Sequence, residues 1–176
     1  ETVLDACAAP GGKTALLAEQ MNGCGRLIAG ELHADRLAIL QNNLRRLRLH
    51  DVEVVRMNAA EWVPAPSQPT QFDAILLDVP CTNTGVIRRR PDVRWSFTVE
   101  RLERLARLQA ALLDALAPRV RPGGRLVYST CSLEPEENTR QISAFLARHP
   151  EFTLTAEQLL VPTDTATDGA YAALLI

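Results

Sequence analysis

Short apolar runs alternate with segments of helical period along this chain, and a glycine-rich loop follows the first run at once. Val3-Leu4-Asp5-Ala6 reads as the end of a buried strand entering Ala8-Ala9-Pro10-Gly11-Gly12. Leu16, Leu17 and Met21 then mark a helix that Asn22-Gly23 stops. Residues 26–31, 52–56, 72–78 and 125–129 repeat the strand signal. Between them Leu37, Leu40, Leu44 and Leu47, then Leu102, Leu105, Leu108, Leu112 and Leu116, then Ile142, Phe145 and Leu146, recur at helical spacing. Residues 152–155 and 170–176 predict the last strands around an extended loop. Strands alternating with helices predict an α/β fold, a mainly parallel sheet with helices on both faces.

Composition removes several classes. With 176 residues, 47% hydrophobic and 23% charged, the chain can bury the core of one soluble domain. No apolar run approaches the roughly 18 residues of a membrane span. No Lys/Arg-led apolar segment opens the chain, so a secretory leader is not expected. In a doubly wound sheet the strand feeding the glycine-rich loop is central. A chain that starts almost on that strand is expected to be part of a longer protein.

The net charge of −2 says little about partners, but its distribution says more. Arg88, Arg89, Arg90, Arg94, Arg101, Arg104 and Arg107 face only Asp92, Glu100 and Glu103 over residues 86–107, and Arg45, Arg46 and Arg48 form a second run. Of the 19 basic residues, Lys13 alone is a lysine, and it lies in the glycine-rich loop. Among the four cysteines no pair is spaced C-x-x-C, and the three histidines are scattered, so no metal site is expected. Without a leader, a reduced cytoplasmic chain is the expectation. Cys24 reads as inert buried packing. Cys81 and Cys131 each directly follow a predicted strand, at polar corners on one edge of the sheet, and so could converge across 50 residues of sequence.

Three ligands compete for the first loop. A phosphate-cradling P-loop needs a glycine where Cys7 stands, although Gly12-Lys13-Thr14 supplies the end of that pattern. The dinucleotide fingerprint fails because only Gly11-Gly12 is present. A nucleoside ligand without phosphates remains, and S-adenosylmethionine fits, its amino-acid part lying close to the backbone of residues 7–13. Glu31 ends the second strand, where a carboxylate can accept from both ribose hydroxyls. Asn58 closes the third strand, within reach of an adenine, and Asp78 closes the fourth.

Three stretches carry a family resemblance: DACAAPGGKT at 5–14, DVPCTNTGVIRRRPDVRW at 78–95 and YSTCSLEPEEN at 128–138. They resemble the RNA cytosine-C5 methyltransferases of the Sun/RsmB family, most closely the branch acting on bacterial small-subunit (16S) rRNA. The resemblance implies a Rossmann-like S-adenosylmethionine-dependent methyltransferase fold with seven strands, spanning residues 1–176 as a catalytic domain. It also implies an upstream RNA-binding domain and linking helices. Its cofactor site would comprise Cys7, Ala8, Ala9, Pro10, Gly11, Gly12, Lys13, Glu31, Arg36, Asn58, Asp78 and Pro80. Its catalytic residues would be Cys131 as nucleophile, Cys81 in product release, Asp78 at the base edge and Lys13 beside it. The expected partner is RNA, with neither membrane nor metal, and a monomer is favoured. The arginines at 88–94 and Trp95 would hold RNA, although Trp95 suits core packing equally well.

There are departures. Asn58 stands where the family commonly has Asp, Thr82-Asn83 replaces Ser-Gly or Ser-Ala, and Ala170-Tyr171 replaces Phe-Phe. Two rival readings remain open at this point. A DNA cytosine-C5 methyltransferase would use a Pro-Cys cysteine resembling Cys81 as nucleophile. A non-catalytic module would keep the cofactor fold as an RNA-binding or assembly scaffold.

Overall fold

A computed structural model describes all residues, 1–176. In chain order the main elements are β1 (Thr2–Asp5), α1 (Gly12–Met21), β2 (Arg26–Glu31), α2 (Ala34–Arg46), β3 (Val52–Arg56) and β4 (Phe72–Asp78). There follow α3 (Val93–Ser96), α4 (Val99–Leu116), β5 (Val120–Thr130), α5 (Thr139–Arg148), β6 (Leu154–Leu160), α6 (Pro162–Thr165) and β7 (Ala170–Leu175). The seven strands form one sheet in the order β3-β2-β1-β4-β5-β7-β6. No helix is long and apolar enough to cross a membrane. The chain divides into two compact units, Glu1–Asp78 with Ala115–Leu126, and Val79–Asp114 with Val127–Ile176.

In the first unit β1 pairs in parallel with both β2 and β4, and β2 with β3. Strands covered on both faces tolerate unbroken apolar runs, and Leu4, Ile28 and Ile75 are fully buried. One core cluster joins Ala8, Ala9 and Ala29 to Leu40 and Leu44 of α2. Leu40 and Leu44 lie one turn apart, and burying each contributes about 1.5–3 kcal/mol. A second cluster packs Leu17, Ala18 and Met21 of α1 against Val3, Leu27 and Ala74. The outer ends of the helical patterns did not bury. Leu16 is exposed, and so is Leu47, which lies past the last helical residue of α2. Cys24 is likewise exposed rather than packed, because the turn after α1 carries it outward, its N–H donating to the Met21 carbonyl.

In the second unit α4 buries Leu102, Gln109, Leu112 and Leu113, while Leu108 is exposed. The buried stripe therefore takes Gln109 in place of the leucine that the apolar pattern selects. β6 and β7 pair antiparallel. β6 is longer than the expected strand over 152–155, and α6 follows where an extended loop was expected. Residues 155–159 are exposed at the edge of the sheet, and Thr155, Glu157 and Gln158 among them hide the strand from an apolar pattern. β5 is longer as well, and begins five residues before the expected start at 125. Residues 121–123 within it are exposed, and Pro122 is tolerated near a strand's solvent-facing start.

Candidate active site: a glycine-rich loop and a thiol pair

The loop between β1 and α1 is held by its backbone. The Ala8 N–H donates to the Gly30 carbonyl and the Gly11 N–H to the Ala8 carbonyl. Gly11, at φ +104°, caps α1 without a side-chain bond. A Cβ built there would lie 2.8 Å from Leu40 Cδ1 as well as in strained backbone, so the position requires glycine. Two side chains of α2 fasten the loop from outside: Arg36 Nη2 donates to the Ala9 carbonyl at 2.7 Å, and Asn43 Nδ2 to the Pro10 carbonyl at 2.9 Å. Burial pushes the Cys7 thiol up to about 12, with the charges of Asp5, Glu31 and Asp78 acting in the same direction, so Cys7 is a packed thiol.

Carboxylates stand at the ends of three of these strands. Glu31 is only 3% exposed. It accepts the His33 N–H at 3.0 Å and lies 3.6 Å from Arg36. Asp78 accepts from Lys13 Nζ at 2.7 Å in a partly exposed pair, worth about 0–1 kcal/mol to the fold. Asp5 is fully buried and accepts from the Thr14 hydroxyl at 2.7 Å, while its Oδ1 has no hydrogen-bond partner. Burial raises the Asp5 carboxyl to about 6. Asn58 accepts the Ala60 N–H and donates to Glu61. Arg36 therefore joins Glu31 and the loop, Lys13 joins Asp78, and the Asn58 carboxamide is engaged by its own turn.

In the second unit the two cysteines meet. Cys81 Sγ lies 3.3 Å from Cys131 Sγ, and no disulfide is formed. The Cys131 thiol and burial both push Cys81 well above the ordinary thiol range. Gly85 brings the two segments together: its N–H donates to the Cys131 carbonyl at 3.0 Å, and a Cβ on it would lie 2.5 Å from the Gly169 carbonyl oxygen.

A buried carboxylate orders the Cys81 loop. Glu137, fully buried, accepts the Thr82 N–H and hydroxyl and the Gln109 carboxamide. Gln109 also donates to the Pro80 carbonyl at 2.9 Å, and this explains why an amide holds a buried place on α4. The Cys131 loop has its own brace, in which Thr130 donates to Asn138 and Asn138 to the Ser132 carbonyl. Asn83, Glu137 and Thr14 have no signal in apolar periodicity. A polar residue at a helix's apolar spacing, as at Gln109, was the one sign the sequence offered.

The arginine run after the thiol loop is only partly neutralised. Arg88 and Arg89 pair with Asp168, and Arg90 with Asp92. Val93 anchors α3 at 1% exposure, whereas Trp95 beside it is 79% exposed. Core packing of Trp95 is thereby excluded.

The strand order and the loop after β1 define the Rossmann-like fold of the S-adenosylmethionine-dependent methyltransferases. The family model for 16S rRNA methyltransferase RsmB/F matches residues 1–175, and the chain belongs to this family. It is 41% identical over 184 aligned positions to the ribosomal RNA small subunit methyltransferase B of Vibrio vulnificus (strain YJ016), covering 100% of this chain and 42% of that protein. The solved structure of PH0851 superposes with a TM-score of 0.94 at 36% identity, over 99% of this chain and 42% of that one. NSun6 from Pyrococcus horikoshii, solved with SFG, superposes with a TM-score of 0.88 at 32% identity, over 99% of this chain and 47% of its own. The chain thus spans about two fifths of the curated relative's length.

Proposed function

We propose that residues 1–176 are a catalytic domain that methylates C5 of a cytosine in RNA, with S-adenosylmethionine as donor and 16S rRNA as the substrate class. The observation that carries this reading is the thiol pair, two cysteines 50 residues apart in sequence with sulfurs at 3.3 Å. Family membership supports it, as do the relatives' names. The reading places the protein in the cytoplasm, where thiols stay reduced.

The residues of the first unit fit the donor. Gly11 holds the loop in a left-handed turn closed to other residues, the buried Asp5 Oδ1 has no hydrogen-bond partner, and Glu31 ends β2 as a buried acceptor. Residues 7–13 with Asp5 would hold the amino-acid part. Glu31, oriented by His33 and Arg36, would hold the ribose, and Asn58 the adenine side. SFG, an S-adenosylmethionine analogue, accompanies the NSun6 relative. When bound, S-adenosylmethionine supplies an electrophilic methyl group.

Cytosine C5 is a poor nucleophile until C6 carries an electron-rich substituent. Cys131, as thiolate, forms a bond to C6 and makes C5 enamine-like. Asp78 hydrogen-bonds the N3/N4 edge, and a proton taken up from solvent at N3 neutralises the charge that addition creates. Lys13 holds Asp78 in place. Once C5 is methylated, a water molecule takes up its proton, the C5–H electron pair re-forms the C5–C6 double bond, and Cys131 leaves C6 as the thiolate, a release that Cys81 assists. The base must first leave its stack, which is easiest for an unpaired nucleotide. The arginines of 88–94 and exposed Trp95 supply phosphate contacts and a stacking face.

The test is methyl transfer from labelled donor to undermethylated 16S rRNA, mapped to the nucleotide, with the longer protein alongside. Cys131→Ala should transfer no methyl group and form no adduct. Cys81→Ala should methylate and then stall as a protein–RNA adduct on denaturing gels. The reverse pattern would transfer the nucleophile to Cys81, as in the DNA enzymes.

A further inference from the structure

The thiol pair has a third member that the reaction above does not use. Asn83 follows Cys81 by two residues and holds a left-handed backbone conformation, φ 64° and ψ 23°. Asparagine is one of the few non-glycine residues that accept this conformation at low cost. Its side chain turns back to the sulfurs. Cys131 Sγ donates to Asn83 Oδ1 at 2.9 Å, and Cys81 Sγ lies 3.8 Å from the same oxygen. The orientation of the carboxamide is fixed, because Asn83 Nδ2 donates to the Cys81 carbonyl at 3.2 Å. Rotating the amide by half a turn would bring its oxygen against that carbonyl and its NH2 against the thiols. The carboxamide oxygen therefore faces the sulfurs, and its NH2 faces the Cys81 carbonyl.

We infer that Asn83 is a positioning residue that latches Cys131 in its thiol form until substrate displaces the carboxamide. The inference rests on the reading of Cys131 as nucleophile. A hydrogen bond accepted from S–H stabilises the neutral state, and the same oxygen would repel a thiolate. A titratable neighbour of Cys131 in this unit is the Cys81 thiol, and Glu137 is engaged by Thr82 and Gln109. When the carboxamide rotates about its side-chain torsions, Asn83 gives up the bonds to Cys131 and to the Cys81 carbonyl together. Deprotonation of the nucleophile is thereby coupled to entry of a group that can take their place.

The test is the pH profile of alkylation of the Cys131-containing peptide by iodoacetamide, read by mass spectrometry on the intact protein. Asn83→Gly keeps the left-handed backbone and removes the acceptor. Losing one hydrogen bond of ordinary net strength should raise the rate near neutral pH by about 3- to 10-fold. The midpoint of the profile should move down while the plateau at high pH stays unchanged. Asn83→Asp also tolerates the backbone, and should move the midpoint up by placing a carboxylate against the sulfur. An unmoved midpoint in Asn83→Gly would overturn the inference. So would a raised plateau with the midpoint unmoved, since that reports only easier access, or a lowered midpoint in Asn83→Asp. Methyl transfer retained by Cys131→Ala would refute the nucleophile reading instead, and the alkylation result would be unaffected.

Discussion

Replacing Glu137 with Ala removes a carboxylate that accepts the Thr82 N–H at 3.0 Å, the Thr82 hydroxyl and the Gln109 carboxamide at 2.9 Å. Not all of these donors would be stranded. The Thr82 hydroxyl has Ser132 Oγ at 3.1 Å as an alternative acceptor, and Gln109 Nε2 keeps the Pro80 carbonyl. The Thr82 N–H has no such substitute. Leaving one buried donor unpaired costs about 1–3 kcal/mol, and each hydrogen bond to a charged acceptor contributes about 1.5–3 kcal/mol. With the cavity added, the expected loss is about 3–5 kcal/mol of unfolding free energy. Glu137→Gln keeps a carbonyl for the Thr82 N–H, and its NH2 can donate to the Thr82 hydroxyl. Its expected loss is about 1 kcal/mol. Urea unfolding of the three proteins, with comparable slopes, measures both differences. If Glu137→Ala lost no more than Glu137→Gln, the claim that this carboxylate orders the Cys81 loop would be wrong.

Glu31→Ala should weaken S-adenosylmethionine binding by about 1–3 kcal/mol in calorimetry, and an unchanged affinity would reduce Glu31 to a buried strand-end acceptor. Trp95→Ala should leave stability within about 0.5 kcal/mol, because the ring is 79% exposed, while lowering RNA affinity by about 1–3 kcal/mol in titrations at fixed salt. Asp5 titrates near 6 in the folded protein against 3.8 for the free side chain, so between those values the folded state binds the extra proton. Stability from this group is therefore greatest in acid and is lost as pH rises through about 6. Asp5→Asn should gain up to ~3 kcal/mol relative to the parent between about pH 4 and pH 7, and a pH-independent difference in urea unfolding would count against it.

Much of the first unit could be read from the residues. Unbroken apolar runs such as Leu27-Ile28-Ala29, closely bounded by turn residues, suit a strand covered on both faces, and Leu40 and Leu44 fall one turn apart on a helix. Those signals are local, and so is the glycine at 11, whose backbone excludes other residues whatever surrounds it. β6 was less legible, because its polar residues become a strand only by pairing with β7.

The sequence by itself determined the alternating α/β pattern, the glycine-rich loop, the strand-end carboxylates and the pair of corner cysteines. Each follows from the chemistry of neighbouring residues, at a helical or strand period that can be counted along the chain. Only the tertiary structure decided that the sulfurs of Cys81 and Cys131 lie 3.3 Å apart, that Glu137 and Gln109 brace the loop between strand and thiol, and that Asn83 turns its oxygen to Cys131. It also decided that Trp95 faces solvent and that Leu108 gives its place to an amide. For the polar groups the physical reason is the same. Hydrogen-bond satisfaction of a buried polar group is a property of what lies across space from it, over separations of 28 to 55 residues here, and no local periodicity encodes that.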